Sequence, residues 1–579
     1  MFTVLKKLGW YFKLEKKRYT IAILLLTISG LIEVIPPLLV GWSIDDIQTG
    51  GLTWGKLTMT LLQLTAITVI VYGITYVWMY KLFGGSFVVE RLLRSRLMRH
   101  FLKMTPTFYE RNRTGDLMAR STNDLHAVSV TAGFGILTLI DSTVWMTILL
   151  VIMSVGISWK LTLASLIPLP FMAILFSLYG GWIHTRYMKA QDAFGGMNDG
   201  VLETISGVRV TRAYVQEREA EQEFANVTKD VMNKNLAVVR IDALFESTSK
   251  IFVGASYLIG LGYGAYLVFN SELTVGKLVT FNVYLGMLIW PMFAIGELIN
   301  IMQRGNASLD RVNETLGYKP DVPEPENGVR VGQPGTIRFE QVTFRYPSSS
   351  VDNLHKVSFE LRRGQTLGVV GRTGSGKTTL VKQLLREYPS GEGRITISDT
   401  VLEHIEMDDL KGWLGYVPQE QFLFSRPIDS NIRFGKEEAD MKELEAVLDT
   451  AAFRKDIQFL PQGLSTLVGE KGVALSGGQK QRVSIARALI AEPEILILDD
   501  ALSAVDARTE AQIIHNIRTE RAGKTTLITT HRLSAVQHAD HIIVLDDGKI
   551  IESGTHEELL QENGWYKEQY ERQQIEQNE

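Results

Sequence analysis

The sequence predicts a membrane domain of six transmembrane α-helices, followed by an α/β domain that contains a P-loop. Residues 1–305 contain six long apolar runs. The segment after Gly317, YKPDVPEPENGVRVGQPG, is rich in Pro, Gly and acidic residues and cannot continue a helix. Beyond it, short strands alternate with helices, as an α/β domain with a largely parallel sheet requires. We therefore place the membrane domain at 1–317, a linker at 318–335 and the α/β domain at 336–579.

Composition excludes several other classes of protein. The 579 residues are too many for a single domain. The formal net charge is −4, so the sequence does not indicate a partner made of nucleic acid. There are no cysteines, which excludes disulfides and thiolate metal sites.

Each of the six apolar runs is long enough to cross a hydrocarbon layer of about 30 Å, which takes about 20 helical residues. One such run could be a buried helix of a soluble protein, but six together favour a multi-pass protein of the cell membrane. The runs lie near 20–42, 57–80, 132–157, 159–183, 247–270 and 276–303.

The distribution of basic residues predicts how the spans are oriented. Lys and Arg are concentrated before the first span and in the two long connections that follow the second and fourth spans. Basic residues accumulate on the cytoplasmic side of a membrane. We therefore expect the N-terminus, both long connections and the α/β domain to be cytoplasmic.

The stretch TLGVVGRTGSGKTTLVKQLL predicts a strand, a glycine-rich loop and a helix, and it contains a complete GxxxxGK[ST] motif. The glycines let backbone amides point at phosphate oxygens, Lys377 reaches the terminal phosphates, and Thr378 can ligate Mg²⁺. The motif therefore predicts an ATP site. Its residues are Gly371, Arg372, Thr373, Gly374, Ser375, Gly376, Lys377, Thr378 and Thr379.

Four further features of the sequence could contribute to a nucleotide site. Tyr346 could stack on an adenine ring, although a lone tyrosine is more often a core or surface aromatic. Gln419, in GYVPQEQ, offers an amide to a metal or to water. His531 ends a strand, where its imidazole could touch a γ-phosphate or be merely structural. LSGGQ, residues 475–479, opens a helix whose N-terminus can bind an anion but cannot serve the same chain's own loop.

Together these motifs resemble the ATP-binding cassette (ABC) superfamily, and six spans ahead of one cassette resemble an exporter half-transporter. The resemblance implies two cassettes facing head to tail, with each ATP between one chain's P-loop and the other chain's LSGGQ. Ser476, Gly477, Gly478 and Gln479 would then bind nucleotide across that interface. The resemblance also implies that short helices in the long connections dock onto the cassettes, and we expect these in TGDLMARSTND and RAYVQEREAE.

The run ILILDD departs from the family pattern at its last position. By that pattern Asp499 supports Mg²⁺, and the next residue is normally a glutamate that orients and polarises the attacking water. Asp500 is shorter by one methylene, roughly 1–1.5 Å, and misplacement by about 1 Å can cost 100-fold in rate. We therefore expect this chain's own site to bind ATP and hydrolyse it slowly, unless backbone shifts or a bridging water compensate.

The intact LSGGQ would complete whichever site lies across the interface. The sequence therefore resembles the degenerate-site subunit of heterodimeric multidrug ABC exporters of Gram-positive bacteria, with a second half-transporter as its partner. The alternatives are a lipid or peptide exporter, a homodimeric exporter, and an ATP-gated regulatory subunit without turnover.

Three acids lie within the apparent spans: Glu33, Asp141 and Glu297. A carboxylate in mid-bilayer costs about 2.5–3.5 kcal/mol on insertion scales, so it normally faces a cavity or a partner. Each acid could instead lie below the membrane or pair with the partner chain. Aromatic residues of the same spans could line the same cavity or belong to helix packing and the membrane interface, and an acidic cavity with aromatic walls would favour amphipathic, cationic drugs as substrates. These aromatics are Trp145, Tyr257, Tyr284, Trp290 and Phe293.

Overall fold

The computed structural model describes residues 2–325, 327–469 and 474–578. The chain divides into two compact units. The helical unit comprises Met1–His100 and Gly115–Tyr318, and the α/β unit comprises Phe101–Thr114 and Lys319–Glu579. The segment Phe101–Thr114 therefore groups with the α/β unit, although it lies between two helices of the other unit in the sequence.

The helical unit has no strands among its described residues. Three of its segments, Arg120–Asp124, Asp141–Trp145 and Ile152–Ser158, are π-helical turns. Its α-helices are Thr3–Lys7, Gly9–Leu14, Lys16–Glu33, Ile35–Gln48, Trp54–Phe101, Thr114–Ala119, Leu125–Ala132, Phe134–Ile140, Met146–Val151, Trp159–Leu166, Pro168–Ser206, Val208–Ala213, Glu217–Phe269, Val275–Met287 and Ile289–Gly317.

Within the described residues, five continuous helical runs are long and apolar enough to cross a membrane. The longest, Thr114–Ser206, contains two of the predicted spans. Its 93 residues would extend about 140 Å as one straight helix, several times the membrane thickness. The run breaks at Ser158, whose backbone is extended (φ −165°, ψ 120°) and whose side chain accepts a hydrogen bond from the Leu161 N–H. Six spans therefore fit the five runs.

A tyrosine stabilises the junction between the first two long helices. Lys16–Glu33 ends just before Val34, and Ile35–Gln48 begins with two prolines that cannot donate backbone hydrogen bonds. The buried Tyr284 hydroxyl donates to the Val34 carbonyl oxygen at 2.6 Å. This tyrosine, one of the aromatics that could have lined a cavity, is therefore part of the helix packing.

The described residues of the α/β unit contain ten strands in two sheets. A four-stranded antiparallel sheet has the order β2-β1-β4-β5, and a six-stranded sheet has the order β10-β9-β3-β8-β7-β6. The strands are β1 Ile337–Phe344, β2 Leu354–Leu361, β3 Thr366–Gly371, β4 Glu392–Ile397, β5 Thr400–Val401, β6 Leu414–Val417, β7 Ile495–Asp499, β8 Thr525–Thr530, β9 His541–Asp546 and β10 Lys549–Gly554.

The six-stranded sheet is parallel except for the β10–β9 pair, as the sequence predicted. Every residue of β7 and β8 is buried, because helices cover both faces of this part of the sheet. The α-helices of the unit are Pro106–Arg111, Lys377–Leu384, Met407–Trp413, Ile428–Ile432, Met441–Thr450, Arg454–Ile457, Gly477–Leu489, Ala507–Glu520, His556–Gln561 and Trp565–Asn578.

The helix Pro106–Arg111 is tied to the α/β unit by side-chain hydrogen bonds. The Tyr388 hydroxyl donates to the Glu110 carboxylate, and the Thr105 hydroxyl donates to the Asp321 carboxylate. This part of the first long connection is therefore bound to the α/β unit.

Docking of TGDLMARSTND onto a cassette stays a prediction, and from Gly115 onward this stretch does not group with this chain's α/β unit. The carboxylate of Asp124 is instead bound within the helical unit, where it accepts hydrogen bonds from Ser308 and Arg311, each at 2.9 Å. The second expected stretch, RAYVQEREAE, belongs to the helical unit. Its docking onto a cassette stays a prediction.

Candidate functional site

The carboxyl ends of four adjacent parallel strands bring the predicted site residues to one edge of the six-stranded sheet. In the order β3-β8-β7-β6, these strands end at Gly371, Thr530, Asp499 and Val417. The P-loop, His531, Asp500 and Gln419 follow them directly in the sequence. A crevice at the carboxyl ends of such strands is the usual ligand site of an open α/β sheet.

The P-loop has the backbone that its glycines predict. Gly371, Gly374 and Gly376 all have positive φ, at 151°, 84° and 104°. At Gly376 a side chain would also collide, because a Cβ atom would lie 2.8 Å from the Asn353 carbonyl oxygen. The loop leads directly into the helix Lys377–Leu384, whose first amides are free to bind phosphate oxygens.

Lys377 lies against the loop that precedes it. Its Nζ donates to the carbonyl oxygens of Gly371 at 2.8 Å and Arg372 at 2.9 Å. Burial lowers the pKa of the Lys377 ammonium, while the charges of Asp500 and Asp499 act in the opposite direction. The lysine therefore lies beside both carboxylates that the sequence assigned to the same site.

Asp499 forms the buried centre of the site. It is 1% exposed and accepts hydrogen bonds on Oδ1 from Thr378 at 3.1 Å and from Thr529 at 2.5 Å. Its Oδ2 atom is buried and has no well-aligned hydrogen-bond partner among the described residues. Burial raises the pKa of Asp499, and the carboxylate in turn adds to the effect of burial in raising the pKa of the nearby Tyr416 phenol.

The Thr378 hydroxyl and the Asp499 carboxylate are hard oxygen ligands of the kind that Mg²⁺ prefers. An orphaned, buried carboxylate oxygen is costly unless something binds it. The residues present therefore fit a magnesium ion.

Asp500 contacts His531, a pairing that the sequence did not predict. Its Oδ1 lies 3.0 Å from the His531 Nδ1. The Asp500 backbone is left-handed, with φ 48°, and its N–H donates to the Thr529 carbonyl oxygen at 2.9 Å. The Asp500 side chain is 16% exposed and that of His531 54% exposed. The Asp500 carboxylate is thus largely shielded from solvent, and the more exposed imidazole of His531 lies beside it.

Tyr346 lies in an aromatic cluster beside the P-loop helix. Its ring packs edge-on against Tyr388, with the centroids 4.9 Å apart, and its hydroxyl donates to Thr379 at 3.1 Å. Burial raises the pKa of Tyr346. Gln419, by contrast, is exposed just beyond the end of β6.

The LSGGQ segment begins the helix Gly477–Leu489 with a complete capping box. The Gln479 N–H donates to the Ser476 Oγ at 3.3 Å, and the Ser476 N–H donates to the Gln479 Oε1 at 3.0 Å. The Gln479 side chain also donates to Asp456 at 3.0 Å. Ser476 itself is exposed. Among the described residues, no hydrogen bond joins this segment to the P-loop.

A network that sequence reasoning missed connects the LSGGQ helix to Asp500. The Gln481 Nε2 donates to the Ser503 Oγ at 3.2 Å, and that hydroxyl donates to the Asp500 carbonyl oxygen at 3.0 Å. The Ala504 N–H donates back to the Gln481 Oε1 at 3.0 Å. The sequence contained a signal for this network, because serine and small residues follow ILILDD directly. Their spacing alone does not say which helix they face.

The helical unit brings two of the three predicted acids together. Glu33 and Asp141 line one cavity of about 240 Å³, together with the indoles of Trp78, Trp145 and Trp290. Glu297 does not line it. A second cavity, of about 530 Å³, is lined almost wholly by apolar side chains that include Phe293.

Comparison with known proteins gives similarity over both units. Residues 19–292 match the ABC transporter transmembrane region, and residues 354–503 match the ABC transporter family. The chain is 61% identical over 575 residues to the probable multidrug resistance ABC transporter ATP-binding/permease protein YheI of Bacillus subtilis (strain 168), which covers 99% of this chain and 98% of that protein.

It is also 43% identical over 570 residues to the multidrug resistance-like ATP-binding protein MdlA of Escherichia coli (strain K12), covering 98% of this chain and 96% of that protein. The structure of a bacterial Atm1-family ABC exporter with ATP bound superposes with a TM-score of 0.80 at 26% identity. That match covers 96% of this chain and 99% of the exporter.

Proposed function

Because this chain belongs to the ABC transporter family and has the two domains of an exporter half-transporter, we propose that it is one subunit of a heterodimeric multidrug efflux pump. It binds ATP at a weakly hydrolytic site of its own and supplies an intact LSGGQ to its partner's catalytic site. The names of YheI and MdlA, both related along nearly the whole chain, support multidrug export.

The observation that carries this proposal is the contact between Asp500 and His531. A glutamate at position 500 would extend its carboxylate about 1.5 Å farther from the backbone. The shorter Asp500 is instead held at 3.0 Å from the imidazole of His531. Phosphoryl transfer depends on positioning and electrostatics. A carboxylate that is both short and hydrogen-bonded to its neighbour is a poor base for orienting the attacking water.

The remaining residues suit ATP binding. The P-loop amides and Lys377 bind the phosphates, Tyr346 contacts the adenine, and Gln419 contacts the metal or a water. Thr378 and Asp499 hold Mg²⁺, which supplies electrostatic stabilisation of the phosphate charge. His531 would then contact the γ-phosphate from the solvent-exposed side of the same edge of the six-stranded sheet.

The LSGGQ segment supports the second half of the proposal. Ser476, which caps the helix Gly477–Leu489, is exposed, and among the described residues no hydrogen bond joins the LSGGQ segment to this chain's own P-loop. The capping box leaves the Gly477 and Gly478 amides free for an anion supplied across an interface. In a homodimer both sites would contain Asp500, so a partner with a glutamate is needed for rapid turnover.

The pump lies in the cell membrane with its N-terminus and nucleotide-binding domain in the cytoplasm, as the distribution of Lys and Arg indicates. Its substrates are amphipathic, cationic drugs. The two acids that share a cavity with indoles support this class of substrate.

ATPase measurements on the purified chain test the proposal. Expressed alone, the chain should bind ATP and show little drug-stimulated hydrolysis, whereas its complex with a glutamate-bearing half-transporter should turn over rapidly. Robust drug-stimulated ATPase from the chain alone, with Asp500 intact, would overturn the heterodimer and favour a homodimeric exporter. Turnover by neither preparation would favour a regulatory subunit instead.

A further inference from the structure

The cavity that Glu33 and Asp141 share has the chemistry of a cation-binding site. We call it the acid–indole cavity and define it by Glu33, Trp78, Asp141, Trp145 and Trp290. No Lys or Arg is among the described residues that line it. Two carboxylates without a basic partner, inside a membrane domain, are costly unless a cation meets them.

Neither carboxylate is fully satisfied by the protein. Asp141 accepts one hydrogen bond, from the Trp290 Nε1 at 2.9 Å. Glu33 accepts one, from the Ser29 hydroxyl at 3.4 Å. Each ionised carboxylate has about four acceptor positions. Most of this acceptor capacity therefore remains available to a ligand.

Trp78 provides a second, independent indication of a ligand. It is 7% exposed, and its Nε1 is buried without a hydrogen-bond partner in the described part of the chain. Buried indole N–H groups usually find an acceptor. Because Trp78 lines the cavity, a ligand with an acceptor atom could satisfy this donor.

We infer that the acid–indole cavity binds the charged head of an amphipathic cation, an alkylated ammonium group that has a hydrogen-bond acceptor close to it. The inference rests on the proposed drug-export function and names the part of the protein that selects for charge. The indole faces attract the ammonium through cation–π interactions, and the two carboxylates attract its positive charge.

The size of the cavity sets the size of the group it takes. At about 240 Å³ it lies below the roughly 300–1,000 Å³ of pockets that enclose a drug-sized molecule. It therefore holds the charged head and not the whole amphipath. The apolar cavity of about 530 Å³ has no charged side chain. Ile289 lines the apolar cavity, and the next residue, Trp290, lines the acid–indole cavity.

The test uses two probes of the same shape that differ only in charge. Acetylcholine has a quaternary ammonium and an ester carbonyl, and 3,3-dimethylbutyl acetate replaces its charged nitrogen by carbon. Binding of each to the full chain, in uncharged maltoside detergent, is measured by saturation-transfer NMR titration. The variants are Glu33→Gln and Asp141→Asn, which keep the side-chain shape and can still accept the bonds from Ser29 and Trp290.

The intact chain should bind acetylcholine more tightly than its uncharged isostere. Each neutralised variant should weaken acetylcholine binding about tenfold or more, because a hydrogen-bonded or paired charge is lost. Binding of the isostere should change less than about twofold. Trp78→Phe keeps an aromatic ring but loses the N–H, and it should weaken binding of both esters by a similar, smaller factor of about 2–5.

Glu297→Gln is the matched control, since it neutralises an acid of the same unit that does not line the cavity. Retained binding of a fluorescent ATP analogue shows that each variant is folded. Equal binding of the two probes by the intact chain, equal losses for both in the acid variants, or an effect of Glu297→Gln as large as the others would each overturn the inference. No ATPase measurement enters this test, so a failure of the heterodimer proposal would leave its result unchanged.

Discussion

Two parts of the α/β unit differ in how closely they follow the pattern of an active nucleotide-binding domain. The LSGGQ helix has an intact motif, a complete capping box and an exposed Ser476. At the strand end, Asp499 is hydrogen-bonded to Thr378, and the shorter carboxylate of Asp500 contacts His531. In one chain, therefore, the LSGGQ segment follows the family pattern in full, whereas the strand end departs from it at Asp500.

ATP binding and ATP hydrolysis depend on different residues of this sheet edge. Binding of ATP needs the P-loop, Lys377 and Asp499, all of which are present. Hydrolysis also needs a well-placed base, and at that position of the family pattern the chain has Asp500 where a glutamate is normal. The hydrogen bonds from Gln481 to Ser503 and on to Asp500 link the two parts, so a change at either can reach the other.

The largest expected effect comes from blocking the LSGGQ surface. Ser476→Arg places a bulky side chain at the exposed start of the helix and should lower ATPase of the assembled complex about 100-fold or more, as loss of an electrostatic donor does. Thr555→Arg is the matched control, because Thr555 caps another helix with the same kind of capping box and is likewise exposed. The same change in the partner's signature should be milder, and equal effects on both sides would contradict the asymmetry.

The next effect is a gain of activity. Asp500→Glu restores the missing methylene and should raise ATPase of the chain expressed alone by up to about 100-fold, if length is the deficiency. Asp500→Asn keeps the length and removes the charge, and it should give no gain. An unchanged rate for the glutamate variant, measured as phosphate release, would place the deficiency elsewhere in the site.

Lys377→Ala should weaken ATP binding at this chain's own site by about 10- to 100-fold, because no other cation of the motif reaches the terminal phosphates. Binding is measured with a fluorescent ATP analogue on the chain alone. Lys411→Ala removes an exposed lysine from the helix Met407–Trp413, which lies outside the P-loop motif, and serves as the control for general charge loss. Undiminished affinity in the Lys377 variant would count against the assignment of the site.

The smallest expected effect concerns Tyr346. Tyr346→Ala should weaken ATP binding about fivefold or more through loss of stacking, while turnover of the complex at saturating ATP stays unchanged. Tyr346→Phe keeps the ring and removes only the hydrogen bond to Thr379, so its affinity should remain within about twofold. Loss of turnover at saturating ATP would show that the Tyr346 ring does more than bind the adenine.

The local parts of the site could be predicted from sequence because their contacts lie close together in the chain. The P-loop glycines, Lys377 and Thr378 belong to one strand–loop–helix unit whose geometry the motif determines. The contact between Asp500 and His531 joins residues from the ends of two strands. It becomes predictable only when β7 and β8 are known to be neighbours in register.

The cavity was harder to predict because helix packing is not encoded in a motif. Glu33 and Asp141 belong to helices far apart in the sequence, and only the fold shows that they line the same cavity. Glu297 follows Trp290 by two helical turns, about 10 Å along the axis, which takes it beyond the cavity. The helix Pro106–Arg111, which groups with the α/β unit, carried a signal, since proline at the first turn is typical of a helix start, but our prediction of a docking helix used the more polar stretch after it.

The π-helical turn Asp141–Trp145 has a consequence for how this cavity can change. Its first and last residues both line the cavity. A π turn holds one residue more than an α turn, and π turns often occur at functional sites. Loss of a single codon within 142–144 would restore a regular α-helical turn while leaving Asp141 and Trp145 in nearly the same rotational register. A one-residue deletion here should therefore disturb the cavity less than the same deletion in the regular helix Met146–Val151 that follows, where it would rotate the two sides of the helix by about 100° relative to each other.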